Sequence, residues 1–220
     1  MKAGEVLGEL RKNSNPENLE GMRRFGIKTE KALAVRIPVL RKLAKQVGKD
    51  HGLAADLWNS EIHEARILAG MIDNPEKVTL AQMESWVSDF DSWDLCDQVC
   101  SNLFDRTLCA HEKAIDWSQR EEEFVKRAGF VLMATSAVHN KKADDNYFRK
   151  FFPSIKKGSY DERNFVKKAV NWAIRQIGKR NSALRLEAIK LSEEISEYDS
   201  KAARWIANDA LRELRRSRKE

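Results

Sequence analysis

Trp93 and Asp97 lie four residues apart in the stretch Asp91-Ser-Trp-Asp-Leu-Cys-Asp-Gln-Val-Cys-Ser-Asn-Leu-Phe104. The stretch reads as the opening of a helix. On a helix that spacing sets both side chains on one face, about 6 Å apart along the axis. Ser92 suits the N-cap, where its hydroxyl would accept an unpaired backbone N–H. Asp94 falls in the first turn, where the helix dipole favours negative charge. Leu95 and Val99 point elsewhere and serve as core anchors. An indole face attracts a cation, and a carboxylate beside it adds direct Coulomb attraction. The Trp93–Asp97 face therefore suits a cationic visitor. Read by itself, the stretch favours a plainer account, a half-buried tryptophan beside a solvated acid.

Other residue types that could do chemistry lack the partners they need. His63 and Glu64 are adjacent, but Ile67 stands where a second histidine would complete a zinc-binding HExxH pattern, so no metal site is expected. Cys96, Cys100 and Cys109 match no zinc spacing and have no placed histidine to activate a nucleophile. Two of the three fall on the Trp93 helix, which suggests reduced thiols. His139 sits at a helix end, where capping or solvation is the expected role. No glycine-rich phosphate loop is present, which argues against nucleotide hydrolysis, and no cofactor is expected. Trp58, Trp86, Trp117 and Trp205 are expected in packing, as are Tyr147 and Phe148.

The elements that must position these residues are helices. The chain has 220 residues, 42% hydrophobic and 34% charged, enough for one sizeable core or an extended array. It contains only 10 Gly and 4 Pro, which disfavours an all-β fold. No apolar run approaches membrane-spanning length, and the first residues lack the apolar core of a signal peptide; a cytoplasmic, nucleoid-associated protein is expected. The net charge of +6 favours an anionic partner such as nucleic acid without fixing specificity.

In order, residues 2–13 form an amphipathic helix with Val6, Leu7 and Leu10 inward. Asn15-Pro16 restarts the chain as helix to Arg24, and residues 1–30 read as N-terminal capping helices. Ile37-Pro38 opens a helix ending near Gly48. Helices follow at Leu53–Trp58 and Glu61–Met71. Thr79 with Gln82 forms a capping box, as do Ser118 with Glu121 (opening Glu121–Val138) and Ser159 with Glu162 (opening Asn164–Lys179). Ala110–Trp117 is a helix, and another around Tyr147–Phe152 is ended by Pro153. Helices over Ser182–Glu194 and Ser200–Arg216 close the chain, with residues 210–220, including Arg215-Arg216-Ser217-Arg218-Lys219, read as a frayed basic tail.

The helices resemble one another around Ala65, Ala128, Ala169 and Ala202. Their separations are 63, 41 and 33 positions, the first being two units of about 31. Paired helices recurring every 30 to 45 residues or so, with a small residue at the repeated position, indicate a helical solenoid of the HEAT type. A compact irregular bundle is the rival. The expected fold is all-α: one domain over residues 1–220, a right-handed solenoid of HEAT-like helix pairs. Its second helices would line a concave basic face with Arg66, Trp93, Asp97, Arg127, Trp172 and Arg175. Basic pairs recur along it: Lys126-Arg127 and Lys167-Lys168 on helices, Lys141-Lys142, Lys156-Lys157 and Lys179-Arg180 in loops. Such a stripe meeting phosphates would give salt-sensitive binding.

Three motifs taken together, Ser92-Trp-Asp-Leu-Cys-Asp97, Phe124-Val-Lys-Arg-Ala128 and Phe165-Val-Lys-Lys-Ala-Val-Asn-Trp-Ala-Ile-Arg175, resemble the AlkD-like DNA alkylation repair proteins, HEAT-like DNA glycosylases. The resemblance spans roughly residues 20–215. It departs at Ser92, where the family often carries a second aromatic. It implies that Asp97 is the catalytic carboxylate, that Trp93 and Trp172 cradle the lesion-bearing strand and that Arg127 holds a phosphate. It also implies a monomeric enzyme on double-stranded DNA, removing cationic alkylpurines such as 3-methyladenine and 7-methylguanine. Lys126, Lys167, Lys168, Arg175 and Lys179 are the expected backbone contacts. The chemistry suits a lone acid. An alkylated purine already carries positive charge and leaves neutral, so the deoxyribose that turns cationic is what needs stabilising. The alternatives are a non-catalytic HEAT-repeat binder of bent or branched DNA and a protein-interaction module.

Overall fold

The computed structural model describes residues 1–216; Ser217, Arg218 and Lys219 of the expected basic tail lie outside the described residues. Among the described residues there are fourteen α-helices and no strand. They fall into two compact units that divide after Thr107.

The first unit contains α1 (Ala3–Lys12), α2 (Leu19–Arg24), α3 (Ile37–Val47), α4 (His51–Asn59), α5 (His63–Ile72), α6 (Leu80–Ser88) and α7 (Trp93–Asn102). A 3-10 turn, Pro16–Asn18, follows the expected restart at Asn15-Pro16. Helix α5 packs against α3, α4 and α7. Helix α4 begins two residues before its apolar pattern does, because Asp50 Oδ1 accepts the Leu53 N–H at 3.0 Å. The Thr79 cap also forms, accepting the Gln82 N–H at 3.1 Å. In the core, Trp58 and Trp86 stack with ring centroids 3.9 Å apart.

The second unit contains α8 (Ala110–Trp117), α9 (Glu123–His139), α10 (Asp145–Arg149), α11 (Phe152–Gly158), α12 (Asn164–Gly178), α13 (Ser182–Ser196) and α14 (Lys201–Arg216). Helices α9, α12 and α14 lie side by side, and α8, α11 and α13 pack on them in turn. This is the helix-pair stacking expected of a HEAT-type repeat. The repeated alanines Ala65, Ala128, Ala169 and Ala202 are all buried, so each sits where a larger side chain would push helices apart.

The repeat is also written in hydrogen bonds. In the first unit, bonds between successive repeats join residues 31 apart: Leu33 to Glu64, Trp58 to Asp89 and His63 to Asp94. In the second unit several join residues 38 apart, namely Arg127 to Phe165, Arg149 to Glu187, Lys156 to Glu194 and Arg175 to Glu213, while Lys126 to Asp161 and Asn171 to Ile206 are 35 apart.

Several local expectations fail, each because a nearer or better partner wins. Ser118 and Ser159 open no capping boxes; their hydroxyls donate at 2.7 Å to the Ile115 and Lys156 carbonyls at the ends of the preceding helices. Helix α9 starts at Glu123, after Glu122, with no side-chain cap. Pro153 does not end a helix. It sits in the first turn of α11, where its missing N–H costs nothing. The preceding helix is shorter, and Asp144 caps it through the Tyr147 N–H at 2.9 Å. Phe148 is fully buried but Tyr147 only half. Lys156 and Lys157 are helical rather than in a loop. Helix α14 remains helical through Arg216, so residues 210–216 are not frayed.

Candidate functional site

Helix α7 has two sides. Leu95, Cys96, Val99 and Cys100 are buried, while Trp93, Asp97 and Ser101 form a half-exposed stripe. Leu95 and Val99 thus anchor α7 as their spacing implies. The anchor is tight: a Cβ on Gly70 of α5 would meet Val99 Cγ2 at 3.2 Å and Val99 Cα at 3.3 Å. Glycine there lets α7 approach α5 closely enough to fix the stripe.

Two bonds set the rotation of α7. The Trp93 indole N–H donates to the Phe25 carbonyl at 2.9 Å, so the ring is held from the connector after α2. Asp94 Oδ2 pairs with His63 Nε2, at the start of α5, at 2.8 Å. Burial disfavours the charged imidazole, but the hydrogen bond and charge of Asp94, with Glu64 and Asp91 nearby, outweigh it and raise His63 above its ordinary value. Burial likewise pushes Asp94 up, and the His63 contact overcomes it, holding the carboxyl below the usual carboxylate range. Asp94 therefore does more than oppose the helix dipole. Ser92 occupies the N-cap position with extended backbone, but it is buried and makes no capping bond, because Asp94 and Trp93 already fasten the helix start.

Burial raises the Cys100 thiol well above its ordinary value, with Cys96 and the charge of Asp97 adding to the effect. All three cysteines are free thiols. A cleft of about 230 Å³ opens beside His63 and Leu95, lined by Lys31, Glu61, Arg66 and Asp91 among others. Its charges are mixed, and Lys31 and Glu61 pair with each other. Among the described residues no group of acidic, histidine or cysteine side chains is arranged to hold a metal.

In the second unit, Arg127 is buried in α9 and donates to the Phe165 carbonyl at the start of α12. Trp172 is half-exposed on α12, one turn beyond Lys168. The cations expected to meet phosphates are largely engaged. Lys126 pairs with Asp161 at 3.2 Å. Arg175 and Lys179 both pair with Glu213. Lys167 lies over the Trp205 ring, 5.3 Å from its centroid. Lys168 is exposed and makes no ion pair among the described residues. Arg180 is structural: it donates to the Ala137 carbonyl at 2.7 Å and lies 4.0 Å from the Phe148 ring centroid.

Trp205 packs only in part, at the exposed end of the core or half-buried role expected of it. It is 41% exposed, because α14 buries Ala202, Ala203 and Ile206 instead. His63 and Asp94 form a pair that residue types alone did not connect. The signal that could have joined them is their 31-residue separation, the repeat length itself.

The family described as DNA alkylation repair enzyme matches residues 6–214. Among solved structures, the chain is similar to one titled as a new family of proteins related to the HEAT-like repeat DNA glycosylases with affinity for branched DNA structures. The TM-score is 0.80 at 19% identity, covering 99% of this chain and 96% of that one. A designed armadillo repeat protein follows with TM-score 0.40 and 14% identity, covering 80% of this chain and 91% of that one. An engineered protein has TM-score 0.46 and 11% identity, covering 97% of this chain and 90% of that one. No curated protein matches the chain.

Proposed function

Because the chain belongs to the DNA alkylation repair enzyme family, we propose that it is a monofunctional DNA N-glycosylase that hydrolyses the N-glycosidic bond of cationic alkylpurines, such as 3-methyladenine and 7-methylguanine, in duplex DNA. The observation that carries this reading is the stripe on α7. A carboxylate, Asp97, stands one turn from an indole, Trp93, whose orientation is fixed by the 2.9 Å bond to Phe25.

In the proposed reaction the alkylated base leaves neutral, so no strong general acid is required. Positive charge grows on the deoxyribose as the bond to the base breaks. A carboxylate already in place stabilises that charge without reorganising, and the same carboxylate orients the water that attacks C1′. The Trp93 indole attracts the cationic base and sugar, worth about 0.5–2 kcal/mol. The water's oxygen bonds to C1′, its proton is released, and an abasic site and free base remain. From the second unit, Trp172 and Arg127 are assigned to the DNA strand, Arg127 as a phosphate contact oriented by its bond to Phe165. Lys126, Lys167, Lys168, Arg175 and Lys179 are assigned to backbone phosphates. The protein acts as a monomer, in the cytoplasm with the nucleoid.

A second reading is a binder of bent or branched DNA without chemistry. It draws on the affinity for branched DNA attributed to the similar structure. Asp97 separates the two readings, since an acid among phosphates costs binding energy, a cost that chemistry explains and binding alone does not. The test incubates methylated duplex with wild type and Asp97→Asn and detects released base, with duplex binding measured alongside. Release by wild type and its loss in Asp97→Asn, with binding kept, supports the enzyme. Equal release by both sinks the carboxylate mechanism, and binding without release by wild type favours the second reading.

A further inference from the structure

Trp205 leaves a large aromatic ring 41% exposed on α14, on the helix side that also carries Lys201, Asp209 and Arg212. Three contacts fix how this side adjoins α12. Lys167 Nζ lies 5.3 Å from the Trp205 ring centroid. Asn171 Nδ2 donates to the Ile206 carbonyl at 3.1 Å. Arg175 pairs with Glu213 and, at 3.7 Å, with Asp209. The Lys167, Asn171 and Arg175 edge of α12 therefore adjoins the exposed side of α14 that carries Trp205.

The two ends of that face treat charge differently. At the Arg175 end, Glu213 and Asp209 take up the cations. At the Trp205 end, Lys168 and Lys201 make no ion pair among the described residues, and Lys167 rests on the ring. The acid near them, Glu162, accepts the Ala202 N–H at 3.1 Å and the Ser200 hydroxyl at 3.0 Å, which with the charges of Lys167 and Lys201 hold it ionised, so three lysines there face one carboxylate. A ring exposed among lysines is complementary to a flat π-system that brings negative charge with it.

We propose that Trp205, with Lys167, Lys168 and Lys201, forms a second nucleic-acid site that stacks an unpaired nucleobase and holds the phosphates flanking it. A base inside an intact duplex is already covered on both faces and cannot offer one to the indole. An unpaired base can, and every base has such a face, so the contact tolerates sequence. Lysine acts as a flexible point charge and suits phosphates that lack the fixed geometry of a duplex. The protein therefore binds duplex carrying a single-stranded stretch more tightly than blunt duplex. This inference rests on the reading that DNA is the ligand.

The test uses the full chain and three labelled DNAs: a blunt duplex, the same duplex with a thymidine overhang of about eight nucleotides, and one whose overhang is the same length but lacks bases. Wild type should bind the thymidine overhang about tenfold more tightly than the base-free one. Trp205→Ala should make the two equal, and Trp205→Phe should restore most of the difference, which guards against loss by misfolding. Lys168→Ala should weaken both overhang DNAs alike, and the blunt duplex less, because Lys168 also meets duplex phosphates. Equal binding of the two overhangs by wild type overturns the proposal. So does an intact difference in Trp205→Ala, the result expected if this face meets an acidic protein instead. Base release from blunt methylated duplex is read in a separate assay, so failure of either reading is recognised without the other.

Discussion

The two units solve the same stacking problem at different lengths. In the first, the bonds between repeats span 31 residues and several are buried, among them Glu64 to the Leu33 N–H and His63 to Asp94. In the second, several span 38 residues and join exposed or half-exposed ions, such as Arg149 with Glu187 and Lys156 with Glu194. The difference between 38 and 31, seven residues, is about two helical turns. The longest helices differ in the same sense: α4 to α7 have nine or ten residues each, whereas α9 and α12 to α14 have fifteen to seventeen, beside the shorter α8, α10 and α11. Short helices leave few solvent positions, so the first unit uses its polar residues inside, to aim α7. Longer helices leave a solvent face, where the second unit sets opposite charges side by side. A tryptophan one turn from a charged residue thus means different things in the two units. Trp93 is fastened by its N–H, whereas Trp205 is half-exposed beneath the Lys167 ammonium.

The contrast can be broken most sharply at Asp97. Its replacement by Asn should reduce base release by about 10²- to 10³-fold, the usual cost of removing a preorganised electrostatic group, with duplex binding nearly unchanged. A loss of binding of similar size would mean that α7 only shapes the DNA contact.

His63→Ala should come next, lowering unfolding stability by about 3 kcal/mol, because it strands Asp94 in a largely dry place. Its pH dependence is diagnostic. The folded pKa of His63 is raised, so its contribution is complete below the unfolded value and is lost as pH rises through the folded one. The folded pKa of Asp94 is lowered, so its contribution is complete above the unfolded value and is lost as pH falls through the folded one. The pair is worth most between the ordinary carboxylate and imidazole ranges. Urea unfolding of wild type should therefore weaken on the alkaline side of that window, and His63→Ala should lack this slope.

Lys168→Ala touches the second unit's face and should lower duplex affinity only a few-fold, reducing the slope of log K against log salt by about one. A change in lesion preference would contradict a phosphate role. The smallest effect belongs to Glu213→Gln. Partial burial pushes the Glu213 carboxyl up, but hydrogen bonds from Lys179 and Arg175 outweigh it and hold it low. Removing its charge should alter stability by less than about 1 kcal/mol. It should also free Lys179 and loosen Arg175, which Asp209 still faces at 3.7 Å, steepening the salt slope by about one to two. An unchanged slope would show that Arg175 and Lys179 stay out of the DNA contact.

Much of this architecture is legible in the residues. The apolar spacing of Leu95 and Val99 fixes which side of α7 is buried, and so which side Trp93 and Asp97 share. Thr79 announces its helix, and the recurring alanines announce the stacking. The helix signals are local, each within a turn or two, and the alanine repeat alone reaches from one helix pair to the next. What only the tertiary structure decided is which polar group answers which. Glu162 resembles part of a box for its own helix, yet it caps α14, 38 residues away at Ser200. His63 finds Asp94, Arg175 finds Glu213, and Trp205 stays half-exposed because Ala202, Ala203 and Ile206 fill the core in its place. A partner one repeat away is adjacent in space but remote in sequence. Local spacing sets the helix and the face it presents; the packing of the next helix determines whether a charge on that face meets solvent or an opposite charge.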